Sequence, residues 1–67
     1  MIPPTYAAAA HQAAAIMEAI IRANRQLLQE DNAWKILDYA GSESLRKLDL
    51  TLAQAQWAFH EAKRRVR

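Results

Sequence analysis

The sequence predicts an all-α protein, an antiparallel helical hairpin with a short middle helix, and three observations lead there. Helix breakers are nearly absent from the 67 residues: the prolines are Pro3 and Pro4, and Gly41 is the sole glycine. The rest is rich in Ala, Leu, Gln, Glu and Arg, which lose least on entering a helix. Apolar residues recur at spacings of three and four on both sides of Gly41, as one face of a helix requires. The expected helices cover about 5–30, 33–40 and 44–66 within one helical domain spanning residues 1–67, and the chain is expected to dimerise.

The first helix takes Thr5 as its N-cap, although Ala8 stands where a capping box would place an acid. Its apolar stripe runs through Tyr6, Ala9, Ala13, Ile16, Ile20, Ala23 and Leu27, widened by Ala10, Ala14, Met17, Ile21 and Leu28. The first half is almost all alanine, which allows close approach but buries little area per residue.

The polar run Gln29-Glu30-Asp31-Asn32 leaves two readings open. Asp31 or Asn32 can cap a short helix, or one helix can continue to Ala40, because Trp34 and Leu37 keep the phase of the first stripe. Gly41 supplies the left-handed stop, and Ser42 or Ser44 can cap the last helix. That helix carries Leu45, Leu48, Leu52, Ala55, Phe59, Ala62 and Val66 as a seam of about three heptads.

If helical, residues 6–40 span roughly 50 Å against roughly 35 Å for residues 44–66 at 1.5 Å per residue, so the alanine-rich start overhangs its partner. A second copy could cover that overhang, and a chain this short, without cysteine, gains most from such a partner.

Function is expected to be protein binding. On a helix running through residues 44–66, Trp57 points away from Phe59 and stands seven residues after Leu50. These two form an outer patch near Arg46, His60 and Arg64, and large rings among arginines mark interface anchors. Trp34 and Tyr39 belong to a segment apolar on several sides and extend the candidate surface. The expected role is a dimeric adaptor or inhibitor that sequesters a regulatory protein.

The alternative is a small DNA-binding regulator. It uses a helix-turn-helix-like segment over 34–50 with Arg46 and Lys47, and the tail residues Lys63, Arg64, Arg65 and Arg67. Outside those four tail residues acids outnumber bases seven to five, so the balance of +2 resides in the tail.

Neither a catalytic triad nor a paired-carboxylate spacing is present, and His11 and His60 do not form a zinc pattern. The expectation is a non-enzyme without cofactor or metal. Glu18 and Arg22 interrupt the longest apolar stretch well before a membrane span, and the N-terminus lacks the basic start of a secretion signal, so a cytoplasmic location is expected.

Overall fold

The computed structural model describes residues 4–67, with side chains from Ala8 onward. In order, the chain forms α1 (Pro4–Ala23), two 3-10 helices (Arg25–Gln29 and Ala33–Asp38), α2 (Glu43–Arg46) and α3 (Leu52–Val66). The described residues contain no strand. The expected cap by Thr5 and contact by Tyr6 involve side chains outside the described residues.

The apolar face of α1 is centred on the second of its two rows. Ala10, Ala14, Met17 and Ile21 are buried together with Ala13 and Ile20, while Ile16 is half-buried and Ala23 exposed. Across from them α3 buries Ala55, Ala58, Phe59, Ala62 and Val66. Alanines on both faces bring the two backbones close and leave room for Met17, Ile21 and Phe59 to fill the centre.

Contacts along this interface advance in the same direction on both helices. Trp57, early in α3, meets His11 in the first half of α1. Arg65, at the end of α3, reaches Glu18, and its carbonyl accepts from Arg22. The helices therefore run side by side in the same sense, which corrects the expected antiparallel hairpin. The cause is the early end of α1: residues 24–51 form a connection long enough to cross back, whereas a short turn would have forced antiparallel neighbours.

That early end corrects the expected helix over 5–30. The Asn24 N–H is shared between the carbonyls of Ile20 and Ile21 at 3.0 and 3.1 Å. Asn24 itself adopts φ −137 and ψ 88, outside the helical region. Asparagine competes poorly for helix interiors. The packing register sets the last turn of α3 opposite the last turns of α1. The break folds Leu27 into the core, where it is 1% exposed. The overhang that motivated a second copy is thereby removed.

The middle segment is a 3-10 helix over Ala33–Asp38 and not an α-helix over 33–40. Asn32 caps it, its side chain accepting from the Trp34 N–H at 3.1 Å. Ala33 and Ile36, three apart, both point inward, matching the three-residue period of this helix type. Gly41 follows at φ +90, the left-handed conformation expected of it.

The helix expected over 44–66 is divided. Only Glu43–Arg46 forms a turn of α-helix, with Ser42 at its N-cap position making no side-chain cap bond. A reversal through Asp49, at φ 51, leads to Thr51. There a complete capping box opens α3: the Gln54 N–H donates to Thr51 Oγ1 at 3.2 Å, and the Thr51 N–H donates to Gln54 Oε1 at 2.8 Å. Leu52 is consequently a first-turn residue and 52% exposed, correcting its place in the core seam.

One cation is built into the core. Lys63 is 6% exposed, donates through Nζ to the Glu30 carbonyl at 2.6 Å, and lies 4.9 Å from the centre of the Phe59 ring. That carbonyl belongs to the C-cap residue of the first 3-10 helix, so Lys63 fastens the crossover to α3.

Candidate functional site

The crossover and α3 enclose an open cleft of about 180 Å³ lined by Trp34, Leu37, Leu45, Arg46, Asp49, Leu50 and Ala55. Each lining residue is placed by a local feature already described. The Asn32 cap sets the turn that presents Trp34, 47% exposed, on the opposite side from buried Ile36. Asp49 takes the left-handed conformation that short polar side chains tolerate best, and the chain reverses there so that Leu50 reaches the cleft wall. Ala55 forms part of the wall from the second turn of α3, where its small side chain leaves space.

Arg46 ties α2 to the second 3-10 helix within the crossover. Its Nη2 and Nε donate to the Leu37 carbonyl at 2.6 and 3.2 Å, and Asp38 Oδ1 lies 3.5 Å from Nη2. A guanidinium presents five donors in a fixed fork, so these bonds leave donor capacity at the rim. Pockets for cofactors or drug-sized molecules run from about 300 to 1,000 Å³. This cleft is smaller and suits one apolar side chain.

The candidate residues separate into groups. Trp34, Arg46 and Leu50 share the cleft. Trp57 lies elsewhere, 37% exposed, with its ring edge-on to His11 at 5.0 Å between centroids and an angle of 82°. The helical spacing that joined Leu50 to Trp57 is not realised, because Leu50 precedes the Thr51 cap. The α1 side chain His11 is thus the neighbour of the outward-turned Trp57. Tyr39 is half-buried against the core, and His60 is exposed beside Phe59.

Arg64 is paired with Glu61 through Nε and Nη2. This hydrogen bond is the foremost reason the Glu61 carboxyl titrates below the usual glutamate range, with the charges of Arg64, Arg65 and His11 acting the same way. The same bond holds the Arg64 guanidinium above its ordinary value. Arg65 stands between Glu18 and Glu61.

Of the nucleic-acid candidates, Arg46 is tied to Leu37 and Asp38, Lys47 is exposed just after α2, and Lys63 is buried. The segment 34–50 consists of a 3-10 helix and one α-helical turn, so it lacks the reading helix of a helix-turn-helix.

Sequence reasoning missed Leu37, Leu45, Asp49 and Ala55 as parts of one wall. A legible signal was Thr51-Leu52-Ala53-Gln54, whose capping-box spacing marks a helix start and breaks the seam after Leu50. No group of three or more metal-ligating side chains occurs among the described residues, and none of their helices is long and apolar enough to cross a membrane. No protein-family model matches the chain, and neither a curated protein nor a solved structure gives a significant match.

Proposed function

We propose that this protein is a non-enzymatic protein-interaction module that receives one apolar side chain of a partner in the cleft between the crossover and α3. The observation carrying this reading is the convergence of Trp34, Leu50 and Arg46 on a cleft of about 180 Å³. Trp34, Leu45 and Leu50 offer an apolar lining and Arg46 a charged donor beside it. This mix of buried contact and polar rim characterises binding anchors. In its fuller form two copies pair and the pair sequesters a regulatory protein, with exposed Leu52 and Trp57 contributing to the contact between copies.

The test is selection of peptides from a random displayed library, followed by titration of the selected sequences against the intact chain. Selected peptides should share one aromatic or branched aliphatic residue. Trp34→Ala should weaken them about 30-fold, corresponding to roughly 2 kcal/mol for the loss of an interface anchor. Peptides that bind Trp34→Ala and Leu50→Ala as tightly as the parent would reject the cleft as the site.

A further inference from the structure

The same-sense packing of α1 and α3 brings both their C-terminal ends to one end of the molecule, and that end holds the chain's positive charge. Arg22 and Arg25 come from α1 and the turn after it, and Arg64, Arg65 and Arg67 from the end of α3, all five exposed. Counting buried Lys63, six bases stand against Glu18, Glu30, Asp31 and Glu61. The remaining Lys35, Arg46 and Lys47 are balanced by Asp38, Glu43 and Asp49, so the net +2 of the chain falls wholly at this end.

We infer that this end binds duplex nucleic acid through its phosphates, without reading bases. The two glutamates inside the cluster set the orientation of the arginines without occupying all their donors. Glu18 engages Nε and Nη2 of Arg22, and Glu61 engages the same atoms of Arg64, leaving each Nη1 outside these bonds. Guanidiniums oriented in advance lose less freedom when they meet phosphate oxygens. Arg25 and Arg67 make no side-chain ion pair or hydrogen bond among the described residues and flank the ordered pair.

What this end lacks selects the partner class. Among the described residues the exposed large apolar side chains are Trp34 in the crossover and Leu52 and Trp57 in the first half of α3, whereas Val66 in the last turn is buried. Among the described residues no exposed Trp, Tyr or Phe stands there to stack on a splayed base or to anchor a folded protein. A polyanion met by backbone charge alone fits what remains, and duplex phosphates supply it. This surface is separate from the proposed cleft and does not depend on it.

The experiment is fluorescence anisotropy of two labelled 20-base-pair duplexes of unrelated sequence with the full chain at 50 and 200 mM salt. With about four phosphate contacts, by Arg22, Arg25, Arg64 and Arg67, affinity should fall about 100-fold between the two salts and be equal for both sequences. The double variant Arg25→Gln and Arg67→Gln, whose side chains support no described contact, should reduce that fall to about 10-fold with circular dichroism unchanged. Trp34→Ala should bind like the parent, which separates this surface from the cleft. Lack of binding at 50 mM salt, an unaltered salt dependence in the double variant, or a strong preference for one sequence would overturn the proposal. Competition by polyglutamate as effective as that by unlabelled duplex would overturn it too, in favour of an acidic protein.

Discussion

Replacing Thr51 by alanine gives opposite signs for the observed and the expected start of the last helix. In the structure Thr51 is the N-cap of α3, with ψ 165 and its hydroxyl accepting from the Gln54 N–H at 3.2 Å. Removing the hydroxyl leaves that N–H without its partner beside a largely buried Gln54 side chain, and the loss of such a cap costs about 1 kcal/mol, within a range of roughly 0.5 to 2. If the helix instead ran through residues 44–66, Thr51 would lie in its interior. Alanine would then be the better residue by up to about 0.7 kcal/mol. Urea denaturation followed by helical circular dichroism, at fixed protein concentration, distinguishes the two outcomes. The structure requires Thr51→Ala to unfold at lower urea with an unchanged slope, and to melt about 4 to 8 °C lower. A variant as stable as the parent or more so would refute the cap and the division of the helix at Leu50.

Phe59→Ala should cost about 3 to 5 kcal/mol because the ring is fully buried, whereas Leu52→Ala, half-exposed, should cost about 1 kcal/mol or less; denaturant titration of both tests this order. Gly41→Ala should destabilise the protein by about 1 to 2 kcal/mol through its φ of +90, since the added Cβ would meet Ile20 only at an ordinary 3.6 Å; a neutral result in the same titration would exclude the left-handed turn. The lowered carboxyl of Glu61 makes its pairing with Arg64 favour the fold above the ordinary glutamate range. That contribution fades as pH falls through this range toward the lower folded value. Thermal melts across an acid pH series should show Glu61→Gln losing less stability than the parent over the same fall, and identical profiles would argue against the pair.

The helical class was legible in the near absence of breakers, and Gly41 and the Asn32 cap were legible as local chemistry. The sense of packing was not. It depends on where α1 ends, and Asn24 looks like one polar residue among several until its backbone is seen to leave the helical region. Leu45, Leu48 and Leu52 keep a helical spacing although Asp49 and Thr51 interrupt the helix between them, so periodicity alone extended α3 backward. The cleft was half legible for a related reason. Trp34, Leu50 and Arg46 stood out individually by size and charge, but Leu37, Leu45 and Ala55 join them only after the chain reverses at Asp49. Lys63 was read as part of a solvated tail because spacing cannot foretell that the Glu30 carbonyl and the Phe59 ring will receive it.

The basic end depends on α1 and α3 lying side by side in the same sense, and a pair of spin-label distances measures that directly. The chain has no cysteine, so labels can be placed in two pairs, Ala8 with Ala53 and Ala8 with Arg64, all exposed positions. Ala53 and Arg64 are separated by roughly 16 Å along the axis of α3. The same-sense arrangement requires Ala8 to lie nearer Ala53 than Arg64, with the two distances differing by several ångström. The reverse order, with Ala8 nearer Arg64, would show an antiparallel pair and contradict the account.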